Sequence, residues 1–229
     1  MTVRDIPGTV ASSTQMKLLS HCSTGYPRTA TEVEWWRKTE RRRLIDARLA
    51  LPADTRLRVA RRVTEQLDGL LASFPDAVLA LYWPFRGEID LRDWMTGLPK
   101  RGVRIALPVV VGPGEPLVFR EWGLATPMVR GPWNIPVPAE DRPLVPEIVV
   151  APLIGVDRRG YRLGYGRGHY DRTLGALPHR ALSIGIGHPV AEIPTVFPQS
   201  HERPLDWVIL GKSSWERPRE CDPAGYGLS

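Results

Sequence analysis

Short, continuous apolar runs, each separated from the next by a helix-like or loop-like stretch, constrain the fold of this chain more than any other feature. They lie at residues 77–83, 103–111, 148–153, 181–186 and 207–210. Runs without polar alternation are typical of strands that are buried on both faces. Because these runs alternate with helical segments, the sequence predicts a single α/β layered domain whose mostly parallel sheet is flanked by helices.

The segments between the runs predict the helices and the longest loop. Residues 35–50 are charged and contain no glycine or proline, which favours a helix. A second helix is expected to be capped by Ala53-Asp54-Thr55, and its apolar positions are Leu57, Val59, Ala60, Val63, Leu67, Leu70 and Leu71. Shorter helices are expected at residues 91–98 and 170–177. Residues 113–146 are rich in proline and lack periodicity, so we expect a long surface excursion there.

One loop carries the strongest functional signal, residues 160–172, GYRLGYGRGHYDR. It follows the predicted strand at 148–153 and opens a helix, and its alternate glycines let the backbone approach a ligand closely. Amides at a helix N-terminus favour an anion, and the guanidinium groups of Arg162 and Arg167 can fork onto phosphate oxygens. Asp171 supplies a carboxylate of the kind that Mg²⁺ prefers beside phosphates.

The spacing of this loop matches neither the GxxxxGK[ST] pattern of P-loop proteins nor the GxGxxG pattern of dinucleotide-binding proteins. A purely structural turn is therefore the alternative interpretation. The position after a core strand, together with two arginines and an aspartate, favours a phosphate site.

The same stretch resembles the signature of the 5-formyltetrahydrofolate cyclo-ligase family, also called methenyltetrahydrofolate synthetases. That signature is a strand, an Asp, a Gly and then RLGxGxGxYD, and it is matched here by residues 149–152, Asp157, Gly160 and residues 162–171. Other family segments follow in order: the basic stretch at 35–52, YWP at 82–84, GEID at 87–90, IALP at 105–108 and WNIP at 133–136. The resemblance covers about residues 35–211.

The resemblance implies a fold of the NagB/RpiA/CoA-transferase type and an ATP-dependent closure of 5-formyltetrahydrofolate to 5,10-methenyltetrahydrofolate, with Mg-ATP as the phosphoryl donor. The ATP-binding residues that it implies are Lys38, Arg41, Arg162, Gly164, Tyr165, Gly166, Arg167, Gly168, His169 and Tyr170. It assigns catalysis to Arg162, Arg167 and Asp171, and the Mg²⁺ contact to Asp171. It assigns folate binding to Glu88, Trp133 and Tyr170.

Some of these assignments have alternatives. Either Arg37 or Lys38 can supply the first phosphate contact of the N-terminal helix, and we prefer Lys38. Without the family context, Glu88 is equally well explained as a surface carboxylate in a turn. Trp133 is equally well explained as a side chain that pins its loop to the core.

Two other functional classes compete with the enzyme. His169 stands where the family has Tyr or Phe, and His201-Glu202 replaces a common His-Asp pair, so a non-catalytic folate- or nucleotide-binding paralogue is the main alternative. The net charge of +6 suggests an anionic partner, and residues 37–62 hold ten Arg or Lys against three acidic residues. This region lacks the interleaved aromatic residues of an RNA-binding signature, so we expect ATP and 5-formyltetrahydrofolate, with or without a polyglutamate tail, rather than nucleic acid.

The ends of the chain carry little functional signal. Cys22 and Cys221 have no metal-ligand or disulfide-framework spacing, and no apolar run is long enough for a bilayer. We therefore expect a cytoplasmic monomer with no membrane partner. Residues 1–34 are expected to form a disordered extension, residues 35–212 the domain, and residues 213–229 a loosely held tail.

Overall fold

The computed structural model describes residues 27 and 29–217. The chain divides after Glu40 into two units, and the first contributes only the start of helix α1, Ala30–Leu49, and the residues just before it. The other elements belong to the second unit. Both cysteines, and most of the predicted extension and tail, lie outside the described residues.

The predicted fold class is confirmed, because a mostly parallel sheet forms the centre of the second unit. Its strands are β1 (Val78–Ala80), β2 (Arg104–Val109), β3 (Val118–Trp122), β6 (Ile148–Pro152), β9 (Leu182–Ile186), β10 (Trp207–Leu210) and β11 (Ser213–Glu216). Within the described residues these seven strands are ordered β11-β10-β9-β6-β1-β2-β3. The five inner strands pair in parallel, and the edge strands β3 and β11 pair antiparallel to their neighbours.

Two small hairpins, four α-helices and three short 3₁₀ helices complete the described fold. The hairpins pair β4 (Met128–Arg130) with β5 (Pro136–Pro138), and β7 (Gly155–Val156) with β8 (Arg162–Leu163). The α-helices after α1 are α2 (Ala53–Leu71), α3 (Arg92–Gly97) and α4 (His169–Ala176). No helix within the described ranges combines the length and the apolar character needed to cross a bilayer.

Helix α2 covers the sheet with the apolar face that its sequence predicts. Its buried residues are Val59, Ala60, Val63, Leu67 and Leu71. Burial of each large aliphatic side chain contributes about 1.5–3 kcal/mol to folding. Leu57 departs from the prediction, since its side chain is 51% exposed.

The first residues of helices α1 and α2 differ from the sequence predictions. Helix α1 begins at Ala30 rather than at residue 35, because Thr29 and Glu32 exchange side chain–backbone hydrogen bonds in a capping box. The expected cap at residues 53–55 of α2 was wrong. Its N-cap is Pro52, which makes no side-chain capping bond, and Asp54 pairs with Arg58 instead.

Two segments expected to lie outside the core contain sheet strands. The excursion at 113–146 contributes β3, whose Phe119 and Trp122 are buried against the rest of the sheet. The tail from Ser213 was expected to be loosely held, but Ser213–Glu216 form β11 against β10. Both are edge strands, and neither carries the continuous apolar pattern of the inner strands.

The backbones of Gly160 and Leu205 approach each other closely, and a comparison with Gly102 tests this approach. Gly160 and Gly102 have φ of 84° and 82°, but a Cβ on Gly160 would lie 2.7 Å from the Leu205 carbonyl oxygen, whereas one on Gly102 would meet nothing within 4 Å. We expect Gly102→Ala to cost about 1–2 kcal/mol through backbone strain. Gly160→Ala should cost clearly more, because the Leu205 backbone must also move. Chemical denaturation compares the two variants, and equal losses would contradict the close approach.

Candidate functional site

The candidate site lies where the chain leaves two neighbouring parallel strands, β1 and β6. Residues 84–90 follow β1, while the β7–β8 hairpin and the glycine loop, residues 164–168, follow β6. Because the carboxyl ends of parallel neighbours share one edge of the sheet, the two segments meet, and the Tyr165 hydroxyl lies 3.1 Å from Glu88 Oε1. Open α/β sheets bind ligands at this edge.

A buried carboxylate fixes the turn that leads into the glycine loop. Asp157 is 1% exposed and accepts hydrogen bonds from the backbone amides of Arg159, Tyr161 and Val196. The signature Asp therefore holds the turn together, and the chain enters β8 at Arg162 in a fixed direction.

Arg41 on α1 lies against the glycine loop. Its Nε donates to the Gly164 carbonyl over 2.7 Å, and a Cβ on Gly166 would lie 3.3 Å from its Cζ. Gly166 and Gly168 have φ of 87° and 61°, a region that favours glycine. The structure thus brings Arg41 to the same loop as the predicted glycines, although the two regions are far apart in the sequence.

Arg162 and Asp171 form a largely buried ion pair at the start of α4. Arg162 Nη2 lies 2.8 Å from Asp171 Oδ1, with the side chains 4% and 16% exposed. The approach lacks hydrogen-bond alignment, so Nη2 has no hydrogen-bond partner among the described residues. Asp171 Oδ1 also accepts the Arg203 amide at 3.2 Å, so both contacts use the same carboxylate oxygen.

In the described part of the chain, no three His, Cys, Asp or Glu side chains lie close enough together to hold a metal ion. A Mg²⁺ ion at Asp171 would therefore draw its remaining ligands from phosphate oxygens and water. Mg²⁺ beside nucleotides is commonly bound in this way, through one or two carboxylates and the phosphates.

Trp133 reaches the glycine loop from the proline-rich excursion. The Arg167 guanidinium carbon lies 4.9 Å from the centre of its ring, and the His169 ring meets it edge-on at 6.2 Å. Trp133 is 46% exposed and has φ of 55°, an uncommon backbone conformation for a residue with a side chain. The indole therefore packs on Arg167 and His169 rather than in the core. Burial lowers the pKa of His169, which favours its neutral form.

Glu88 lies inside a hydrogen-bonded group rather than on the surface. Its Oε2 accepts the Phe85 amide at 2.9 Å, and its Oε1 accepts the Tyr165 hydroxyl at 3.1 Å. The same hydroxyl accepts a hydrogen bond from Arg48 Nη2 at 3.0 Å. Burial raises the pKa of Glu88 to about 7, and Arg48 opposes that rise. A carboxyl group that titrates near neutral pH at a sheet edge is a candidate for ligand binding.

The remaining predicted residues are placed as follows. Tyr170, at the start of α4, is half-buried, and the Arg162 guanidinium carbon lies 5.8 Å from the centre of its ring. Burial raises the pKa of Tyr170, so its hydroxyl stays protonated. Lys38 is exposed on α1 in the first unit, and its phosphate contact stays a prediction.

Sequence reasoning missed Arg48. This side chain is 4% exposed, and it donates to the carbonyls of Arg86 and Leu153 at 3.0 and 3.1 Å as well as to Tyr165. A signal was available, since Arg41, Leu44 and Arg48 recur at spacings of three and four residues. That spacing places them on one face of a helix.

His188 also contacts the turn that carries Glu88. It is 1% exposed, and its Nε2 lies 3.1 Å from the Gly87 carbonyl oxygen. Burial lowers the pKa of His188 to about 4, so the neutral ring donates to that carbonyl. The Arg86-Gly87 turn before Glu88 is therefore held from two sides.

The raised pKa of Glu88 predicts how stability depends on pH. The unfolded carboxyl releases its proton near the ordinary value of 4.5, but the folded one keeps it up to about 7. The unfolded state thus binds fewer protons in this window, so stability falls as the pH rises through it, by about 3 kcal/mol in total. Glu88→Gln should flatten this part of the profile. Denaturant titrations across the window test this, and an unchanged slope in the variant would contradict it.

Several known proteins are similar to this chain. A family model described as the 5-formyltetrahydrofolate cyclo-ligase family matches residues 33–211. The 5-formyltetrahydrofolate cyclo-ligase of Escherichia coli strain K12 is 28% identical over 158 residues, which cover 64% of this chain and 86% of that protein. The protein of the same name from Mycolicibacterium smegmatis is 30% identical over 184 residues, covering 74% and 90%.

The fold has counterparts among solved structures. The NMR structure of Aquifex aeolicus 5,10-methenyltetrahydrofolate synthetase has a TM-score of 0.70 at 23% identity and covers 84% of this chain and 96% of that one. A synthetase of the same name from Mycoplasma pneumoniae has a TM-score of 0.62 at 21% identity. The matched family model runs from the start of α1 to just past β10 and includes the glycine loop and Glu88. The chain belongs to the 5-formyltetrahydrofolate cyclo-ligase family.

Proposed function

We propose that this protein closes 5-formyltetrahydrofolate to 5,10-methenyltetrahydrofolate with consumption of ATP and release of ADP and phosphate. The observation that carries the proposal lies in the glycine loop and α4. Arg172 Nε is buried and has no hydrogen-bond partner among the described residues, while Arg162 Nη2 is paired with Asp171 at 2.8 Å but makes no aligned hydrogen bond there. Because a buried guanidinium donor with an unmade hydrogen bond is costly, both nitrogens fit an anionic ligand with several oxygens.

The phosphate groups are assigned to the glycine loop. Its φ-positive glycines and the α4 N-terminus present backbone amides, and Arg41 lies against the same loop. We assign ATP binding to Lys38, Arg41, Arg162, Gly164, Tyr165, Gly166, Arg167, Gly168, His169 and Tyr170. Arg162 and Arg167 are the proposed catalytic cations, because transfer of a phosphoryl group depends mainly on positioning and charge stabilisation.

The folate is assigned to the surface beside this loop. The Glu88 carboxylate has the chemistry to accept hydrogen bonds from the pterin amino and ring NH groups. Trp133 presents an exposed aromatic face, and the ring of Tyr170 lies next to Arg162. This arrangement would bring the formyl group towards the γ-phosphate.

The proposed chemistry needs no covalent intermediate with the protein. The formyl oxygen attacks the γ-phosphorus and ADP leaves. The N10 amine then attacks the activated formyl carbon, N10 loses its proton, and phosphate departs with the former formyl oxygen as the ring closes. Arg162 and Arg167 would stabilise the charge on the transferring group.

Asp171 is the proposed Mg²⁺ contact and completes the catalytic set. Its Oδ1 contacts Arg162 and Arg203, which leaves Oδ2 for a cation. The ion would supply partial neutralisation of the phosphate charge. We further propose that the protein works as a cytoplasmic monomer and accepts folates with or without a polyglutamate tail.

The experiment mixes purified protein with 5-formyltetrahydrofolate, ATP and Mg²⁺ and follows the absorbance of the methenyl product. We expect product only when all three are present, with one ADP per methenyl group. Conversion without ATP would overturn the proposal. Saturable binding of both ligands without turnover would instead support a non-catalytic paralogue.

A further inference from the structure

Tyr165 combines two features that its assignment to ATP binding does not explain. The residue is 41% exposed on the glycine loop, yet its hydroxyl contacts both Glu88 and Arg48. Its ring also packs on Phe85, whose amide is the second donor to Glu88, with the ring centres 6.0 Å apart. The ring and the hydroxyl of this loop residue thus both contact the segment that carries Glu88.

Arg48 fixes the position of that hydroxyl. Its three guanidinium nitrogens donate to three separate acceptors, the carbonyls of Arg86 and Leu153 and the Tyr165 oxygen. Because the guanidinium group is planar, three bonds of this kind leave it little freedom. The Tyr165 oxygen accepts from Arg48, so its own proton is directed to Glu88 Oε1.

We propose that Tyr165 is a positioning residue for folate recognition: its hydroxyl, held by Arg48, orients Glu88 and stabilises the ionised carboxylate that accepts the pterin NH groups. This inference rests on the proposed function, since it takes the ligand of Glu88 to be the reduced folate. It adds a role for Tyr165 on the folate side, and it connects the phosphate loop to pterin binding through one hydrogen bond.

Among the groups around Glu88, Arg48 and Tyr165 are the ones proposed to stabilise its ionised carboxylate. The titratable and charged side chains that face it or its turn from other elements are Arg48, Arg56, Tyr165, Tyr82, Tyr170 and His188. Burial raises the pKa of Tyr82 and of Tyr170 and lowers that of His188, so these three are neutral around pH 7. Burial also raises the pKa of Tyr165 to about 12, so its hydroxyl keeps its proton and remains a donor.

The test is the pH dependence of 5-formyltetrahydrofolate binding in Tyr165→Phe, which removes only the hydroxyl. In the parent protein, affinity should rise with pH around the Glu88 pKa of about 7. In the variant the midpoint should move up by about one unit, and affinity at neutral pH should fall about five- to tenfold and recover at higher pH. Tyr161→Phe is the matched control, because no hydrogen bond of its hydroxyl contributes to this group, and its profile should match the parent.

Glu88→Gln should remove the pH transition altogether. A uniform loss of affinity at every pH in Tyr165→Phe would show a merely structural role and overturn the proposal, as would an unchanged midpoint. Titration of the Glu88 carboxyl carbon by NMR in the ligand-free protein should show the same upward shift in Tyr165→Phe. A parent protein that binds no folate would instead refute the proposed function, and the NMR titration distinguishes that result from a failure of the hydrogen bond itself.

Discussion

Arg162→Ala should lower turnover by about 10²–10³-fold, as loss of a single donor to a developing negative charge commonly does. The structure adds a second consequence. Arg162 and Asp171 are paired at 2.8 Å and largely buried, so the variant leaves a carboxylate without its cation. Breaking a buried pair from one side costs about 3–5 kcal/mol, so the melting temperature should fall as well.

A double variant separates these two effects. Arg162→Met with Asp171→Leu replaces the pair by apolar side chains, a change that is often neutral or stabilising. We expect the double variant to recover much of the lost melting temperature but none of the lost turnover. Turnover and melting temperature measured together on the single and double variants distinguish a catalytic role of Arg162 from a structural one. Recovery of both would mean that Arg162 only supports the fold.

Arg41→Ala should weaken ATP binding by about 10–100-fold, the range expected for a hydrogen bond that involves a charged group. Its guanidinium contacts the glycine loop at Gly164 and lies beside Gly166, so it is placed to reach a phosphate held there. Folate binding should change much less. Calorimetric titration with each ligand measures both affinities.

Arg42→Ala is the matched control for this prediction. Arg42 is the next residue on the same helix, carries the same charge and is exposed. If the effect were one of net charge, both variants would lose ATP affinity equally. A loss confined to Arg41→Ala supports a specific contact, whereas equal affinities in the parent and in Arg41→Ala would remove Arg41 from the site.

The inner strands of the sheet were predictable because a strand that is buried on both faces requires a continuous run of apolar residues. The edge strands were not. β11 has exposed or half-exposed side chains throughout, and β3 has two buried positions among three half-buried ones. Such strands are stabilised by pairing with a neighbour, and pairing partners are a property of the tertiary fold.

The start of α2 shows a similar limit. Asp54 is a preferred capping residue, but the helix begins two residues earlier than that cap requires. Its carboxylate pairs with Arg58 on the next turn instead. Local propensity is compatible with both arrangements, so it does not determine where the helix begins.

The sequence predicted many of the individual residues of the candidate site but not the contacts between them. The glycine loop and Glu88 each stood out through a local pattern. Their contact depends on β6 lying beside β1, although strands β2 to β5 come between them in the sequence. Arg48 depends on that same strand order, since it bridges the ends of both segments. The contact of Trp133 with Arg167 likewise depends on how the excursion folds back.

One isotope measurement tests the central claim most directly. The protein is given 5-formyltetrahydrofolate with ¹⁸O in the formyl group, together with unlabelled Mg-ATP, and the released phosphate is analysed by mass spectrometry. If the formyl oxygen attacks the γ-phosphorus, each turnover should place one labelled oxygen in the phosphate. Label found in water or formate, with unlabelled phosphate, would contradict phosphorylation of the formyl oxygen and with it the account of the site given above.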